Sequence, residues 1–472
     1  MHALMNNPEW ERAMKAYKRT EELGQSGLHP RDYSKQDIKH LTAERLTGPI
    51  LATGSIVQVL EEMASKCNFP SEHVSSGERD SKLTFEDMNE KGEIFKTLQS
   101  NFLPTIKEQI TFMLTSLDTH NSEEEEPNVD LELIVKILPD LDQTIQSIVS
   151  SAVSLTHGLP LPDEKHDHHL KHLKNFRCYQ LRVRVEFIIG SRIRGLLDHW
   201  AQLMRCCTVS IIVTDPTLAR KEASNGQKRI RTSTANGRDS IDEAIAWSRK
   251  SDWAIVQGDW LSIAGKLAEF LKDLTILAYS LLDSTPDLAR LTITTDESDL
   301  NVSVVARRKA LREGTMDVVR SAMPLLKLAR ILVKQTLKMI PKKPIFDLDS
   351  KINSKTLTQI DNAFEPMTRA LLALVHGLEV LRWTGNNNIT SARRDKLRAL
   401  VNDLKPTMKT TVTILASHLM PLLSGADHAA PEIDFEAWSL TLEQQWDKVI
   451  NRLLDLVSSF EVAPDEGLEP DD

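Results

Sequence analysis

Apolar residues recur at spacings of three and four, without a miss, along the carboxy-terminal half of the chain, and no other feature limits its fold as tightly. One seam reads Trp253, Val256, Trp260, Ile263, Leu267, Phe270, Leu274, Leu277 and Leu281. A second reads Leu357, Ile360, Phe364, Met367, Leu371, Leu374, Leu378 and Leu381. A third reads Phe435, Trp438, Leu442, Trp446, Val449, Leu453, Val457 and Phe460. A mean period of about 3.5 marks helices packed side by side at shallow angles, knobs entering holes. The expected fold is all-α, with elongated multi-helix bundles of long antiparallel helices.

Extra apolar residues flank two of the seams: Leu271, Ile276 and Leu282 on one, Leu372, Val375 and Val380 on the other. They widen the stripe beyond a dimeric zipper's, so each helix wants more than one neighbour. This favours intramolecular bundles over a self-associating coiled coil, the homo-oligomeric alternative. No repeat of fixed length is visible, which disfavours a solenoid. Only 18 Gly and 20 Pro occur in 472 residues, with 5% aromatics, so a Gly-rich nucleotide-binding α/β fold is disfavoured too.

The sharpest change of composition is the run Glu123–Glu126 followed by Pro127, a like-charge stretch that repels itself and cannot pack. It divides an amino-terminal bundle, 1–117, from a carboxy-terminal one, 130–461, by an acidic linker at 118–129. Helices are expected at 8–23, 35–67 with a break at Gly48-Pro49, 84 to about 117 with Thr84 and Asp87 as a capping arrangement, 129–157, 164–213, 240–283, 303–340, 354–384, 391–424 and 433–461. Residues 215–239 are polar and read as a loop, and 462–472 as a disordered acidic tail. Residues 1–19 lack the apolar core of a secretory signal. The uncharged stretch 410–426 holds His418 and Pro421 and reads as a buried helix rather than a membrane span. Four cysteines without CxxC spacing suit a reducing compartment, so a cytoplasmic location is expected, with the nucleus as an alternative.

The metal-like cluster is Asp163-Glu164-Lys165-His166-Asp167-His168-His169-Leu170-Lys171-His172. On a helix His168 and His172, four apart, would share a face and could hold Zn²⁺ or Ni²⁺. The His166-Asp167 dyad invites comparison with HD-domain metal phosphohydrolases, but their further His on a preceding helix has no counterpart here beyond His157 and His120. A solvated helix start, with Asp163 and Glu164 facing the dipole, is the favoured reading, and a metal-dependent hydrolase ranks third among the functions. Gly258 to Lys266 departs from a phosphate loop in spacing and lacks the following hydroxyl. No nucleophile, base and orienter set stands out, and neither catalytic residues nor a cofactor are expected.

Charge is more informative. The −9 of the whole chain averages opposites: residues 304–343 carry eleven Lys/Arg against Glu313 and Asp317, a local +9 that leaves −18 elsewhere. Arg320, Lys327, Arg330, Lys334 and Lys338 fall in one narrow arc at 100° per residue, opposite Leu325, Leu328 and Leu332. Pro324 is expected to kink this helix. Such a basic amphipathic helix suits an acidic protein partner or anionic lipid. Nucleic acid is disfavoured, because aromatics are not interleaved and the net charge is negative. In the basic stretch 220–238, Arg229 and Thr232 match a basophilic kinase pattern, and the run matches a nuclear signal, against the plainer reading of a solvated loop.

The segments Ser251-Asp252-Trp253-Ala254-Ile255-Val256 through Gly258-Asp259-Trp260, and Met323-Pro324-Leu325-Leu326-Lys327-Leu328-Ala329-Arg330-Ile331, resemble uncharacterised, expanded families of helical proteins in fungi. More remotely, the order of long helices resembles the cyclin-D-binding protein and vinculin/talin-type bundles, which implies protein binding by fold analogy. The expected function is a non-catalytic, helical protein-interaction scaffold with the 304–343 helix as its contact. A peripheral binder of anionic membrane or another anionic ligand through the same helix is the alternative.

Overall fold

The computed structural model describes residues 53–70, 79–117, 129–212, 217–283, 298–340, 351–383, 391–424 and 435–460. These residues form helices and turns, with two isolated β-bridges and no strand among them, so the fold is all-α. The chain divides into two compact units, one ending at Lys250 and one beginning at Ser251.

Unit 1 contains helical residues 53–66 (α1), Asn89–Thr97 (α2), Leu103–Leu114 (α3), Leu131–His157 (α4), Asn175–Phe187 (α5), Arg194–Ile212 (α6) and Thr217–Ser248 (α7). Thr84 and Asp87 make the expected reciprocal bonds just before α2, with the Thr84 amide donating to Asp87 Oδ2 at 2.8 Å and the Asp87 amide to Thr84 Oγ1 at 3.3 Å. Asp130 caps α4 by accepting the Leu133 amide at 3.0 Å. Wide π-type turns at Leu98–Phe102 and Ile188–Ile193 join α2 to α3 and α5 to α6 without ending either rod. α4 packs on α2, α3 and α5, and α7 on α3, α5 and α6.

The boundary expected at 118–129 is not where the units divide. Leu117 and Val129 pair as an antiparallel bridge, and the Asp130 amide donates to the Ser116 carbonyl at 2.9 Å. The described residues on either side of 118–128 therefore meet, and α3 packs on α4 within unit 1. The division at 250/251 has no linker composition. It is a helix stop followed by a new start, in which Ser251 Oγ accepts the Ala254 amide at 3.2 Å.

The loop expected at 215–239 is also corrected, since residues 217–248 are one helix. Its buried seam, Ala219, Ala223, Gly226, Ile230, Thr234, Gly237, Ile241 and Ala244, keeps spacings of three and four. Small residues let the neighbours come close: an added Cβ at Gly226 would stand 3.5 Å from Leu203 Cδ1, and one at Gly237 3.5 Å from Ile110 Cδ1.

Unit 2 contains Asp252–Asp283 (α8), Ser298–Met339 (α9), Ser354–Asp361 (α10), Glu365–Trp383 (α11), Ser391–Leu404 (α12), Thr407–Ile414 (α13), Met420–Ser424 (α14) and Phe435–Ser458 (α15). α8 packs on α9 and α11, α9 on α15, and α12 on α11 and α15. The seams are the core: Val256, Trp260, Leu267, Leu274, Phe364, Met367, Leu371, Leu378, Trp446, Leu453 and Val457 are fully buried. Each large side chain taken from water contributes about 1.5–3 kcal/mol, before entropy is charged against it. Trp260 meets Phe364 edge to face at 5.1 Å, and Trp446 Nε1 donates to the Leu404 carbonyl at 3.2 Å. Of the uncharged stretch, residues 410–424 are described and helical, with Thr411, Leu415 and Leu419 buried as expected. No helix among the described residues is long and apolar enough to cross a membrane. The helix expected at 8–23, the Glu123–Glu126 run and the acidic tail lie outside the described residues.

Candidate functional site

α9 turns one face into the core and the other into water. Val318, Val319, Ala322, Leu325, Leu326, Ala329, Leu332 and Val333 are buried, while Arg320, Lys327, Lys334 and Lys338 are exposed on the opposite side. The helix runs on through Pro324 to Met339. Eighteen residues of helix separate Arg320 from Lys338, a stripe about 27 Å long at 1.5 Å per residue. Glu313 and Asp317 are exposed about two turns and one turn before it, so acid gives way to base along the same face. Arg330 is half-buried, and its Nε finds no hydrogen-bond acceptor. No ion pair joins any of these five cations to a described carboxylate. Near the centre of the stripe Ile331 stands 49% exposed, a single apolar contact among charges.

The 163–172 cluster does not assemble as a helix start. Regular helix begins only at Asn175, and His168–Leu173 is a 3₁₀ turn broken at Lys171, whose φ is 53°. His168 and His172 are therefore not successive turns of one α-helical face. Asp163 accepts from the Lys165 amide at 3.0 Å and contacts His166 Nδ1 at 2.8 Å, bonds that hold its carboxyl below the usual range. Asp167 is buried and accepts the Asn175 amide at 2.9 Å while His166 is exposed, so the dyad faces two ways. His169 Nε2 lies 2.6 Å from the Leu83 carbonyl. His172 sits between Phe85 and Phe95, with ring centroids 5.8 and 5.3 Å away, and burial with Arg177 and Lys171 nearby lowers its pKa. Among the described residues no group of three or more His, Cys, Asp or Glu comes together to hold a metal.

Unit 1 instead buries cations that spacing did not single out: Lys91, Lys174, Arg177 and Arg182. Two of them reach the end of α4. Lys91 Nζ donates to the Leu155 carbonyl at 3.3 Å, and Arg182 Nη1 donates to Thr156 Oγ1 at 3.0 Å and lies 3.0 Å from His157 Nδ1. Arg177 reaches the end of α7, donating to the carbonyls of Ser248 at 2.8 Å and Lys250 at 2.7 Å. The partial negative charge of a helix carboxy terminus is what these cations meet. Arg184 and Arg177 also stand over the Trp247 ring, 4.3 and 5.6 Å from its centroid. Burial lowers the Lys91 pKa, as desolvation of an ammonium requires. These contacts brace helix ends.

Thr232 is exposed on α7, where its hydroxyl donates to the Lys228 carbonyl at 3.0 Å, so the kinase-like pattern lies within regular helix rather than a loop. Residues 91–249 match the model of a domain of unknown function, DUF8723, and residues 251–455 match that of a second, DUF8721. No curated protein and no solved structure matches the chain. The two matched regions meet at the division between the units, so unit 1 is similar to one domain of unknown function and unit 2 to another.

Proposed function

We propose that the chain is a non-catalytic, helical protein-binding protein whose α9 stripe meets an acidic surface on its partner. The observation that carries this reading is the row of exposed cations Arg320, Lys327, Lys334 and Lys338, none paired with a described carboxylate. Unpaired like charges about one turn or two apart raise the local potential and steer an opposite surface toward them. A protein partner is favoured over a bilayer because the apolar face of α9 is buried within unit 2. A helix that lies in a membrane interface needs that face for lipid.

The test is binding of the full chain to a fluorescent glutamate-rich peptide and, separately, to phosphatidylserine-containing vesicles, across a salt series. The peptide is expected to bind with an affinity that falls with salt, and Lys327→Glu with Lys334→Glu is expected to weaken it by about tenfold or more. Vesicle binding lost in the same variant, without peptide binding, would instead establish the membrane reading.

A further inference from the structure

α15 packs on α9 and brings the end of the described chain to that helix. Phe460 is buried with its ring against Gly314 of α9: a Cβ added to the glycine would stand 2.9 Å from Phe460 Cε1. The twelve residues that follow, 461–472, carry six acids, Glu461, Asp465, Glu466, Glu469, Asp471 and Asp472, and no Lys or Arg. This acidic segment therefore leaves the bundle beside α9, at a point six residues before Arg320, the first cation of the stripe.

Length and charge both fit the stripe. Twelve extended residues reach about 40 Å. Lys334 lies about 30 Å along α9 from Gly314 and a little under half a turn around it, about 15 Å at the helix surface, which makes a path of about 35 Å. The cations on that path, Arg320, Lys327 and Lys334, are exposed and pair with no described carboxylate. The apolar residues fall at matching depths: Leu468, between Glu466 and Glu469, lies up to about 27 Å from Phe460, and exposed Ile331 lies about 25 Å beyond Gly314. A segment tethered this close has an effective concentration on the order of millimolar, so a set of individually weak ion pairs is enough to hold it.

We propose that residues 461–472 dock along the α9 stripe of their own chain, carboxylates against Arg320, Lys327 and Lys334 and Leu468 against Ile331, and that an acidic partner must displace them. The segment is then a built-in competitor: it lowers the partner's affinity by the fraction of chains whose stripe is open. It also screens the stripe from acidic surfaces that bind too weakly to displace it. The competition rests on the reading of α9 as the partner's contact, whereas the docking itself does not.

The experiment has two arms, both on the full chain. In the first, a mixture of isotopically light and heavy protein is cross-linked with a zero-length carbodiimide and mapped by mass spectrometry. Amide links from Lys327 or Lys334 to carboxylates of 461–472 are expected within single chains, and their yield should fall about fivefold or more in about 1 M salt, where charges are screened beyond about 3 Å. In the second, the glutamate-rich peptide is titrated into a variant carrying Asp465→Asn, Glu466→Gln, Glu469→Gln, Asp471→Asn and Asp472→Asn, which is expected to bind it about tenfold more tightly than the unaltered chain. Absence of the links would overturn the inference, and so would links that join light chains to heavy ones, since the occupant would then be a second copy. Equal, measurable peptide affinity in the two chains would overturn the competition. Links that form within chains while the peptide binds neither protein would instead establish the docked segment and remove the acidic-partner reading of α9.

Discussion

Arg177 holds the end of α7: its Nη2 donates to the Ser248 carbonyl at 2.8 Å, and its Nη1 to the Lys250 carbonyl two residues on. A buried guanidinium spent on helix-end carbonyls fixes where unit 1 stops. Arg177→Met is expected to lose about 2–3 kcal/mol of unit 1 stability, the scale of charge-assisted bonds lost from a buried site. Denaturant unfolding measures the loss, and hydrogen exchange should rise at the amides of residues 245–251. An unchanged midpoint with unchanged exchange would show that the contact does not stabilise the helix end.

Gly226 of α7 faces Leu203 of α6, and an added Cβ would meet Leu203 Cδ1 at 3.5 Å, an ordinary van der Waals separation. Gly226→Ala therefore gains helix propensity without a clash and should stabilise the chain by about 0.5–1 kcal/mol. Gly226→Leu cannot fit the same crossing and should cost about 1–3 kcal/mol. Thermal melting is expected to order the three chains with alanine highest and leucine lowest.

The same helix shows where sequence reasoning stops. The seams of α8, α11 and α15 are written in Trp, Leu, Ile and Phe, so their period announces itself. The α7 seam keeps the period with Ala, Gly and Thr, and its polar composition reads as a loop because small residues carry little hydrophobic signal. The α9 stripe was legible because five cations project onto one arc. The surplus apolar width at Ile276, Leu372 and Val380 is visible in the sequence, but not that these side chains stay exposed. Nothing local marks Arg177 as the brace of a helix end some seventy residues away, and the positive φ at Lys171, which breaks the His168/His172 pairing, has no signature in a non-glycine residue.

His172 supplies a pH dependence. Its folded pKa is lowered by burial first and by Arg177 and Lys171 second, from an ordinary value of 6.5. As pH falls below that value the unfolded chain takes up a proton that the folded one resists, so stability falls, and the loss is complete once pH passes below the folded pKa. His199, lowered mainly by burial, acts in the same direction. His172→Phe, which keeps a ring between Phe85 and Phe95, should flatten but not abolish the decline between about pH 7 and pH 5. An NMR titration midpoint for His172 at or above the ordinary value would contradict the assignment.

Cys178 pits two effects against each other. Lys91 and Arg177 lie close enough to favour a thiolate, which is the setting of a reactive cysteine. Burial wins: Cys178 is 2% exposed and its pKa is pushed up to about 12, as burial also does for Cys67. Cys206 is buried and raised in the same direction, whereas Cys207 is half-buried. A thiol probe near neutral pH should therefore label Cys207 in the native chain, with the other three reacting only after unfolding in guanidinium chloride. Peptide mapping of the labelled protein decides the matter, because rapid native labelling of Cys178 would mean that the two cations, and not the apolar surroundings, set its chemistry.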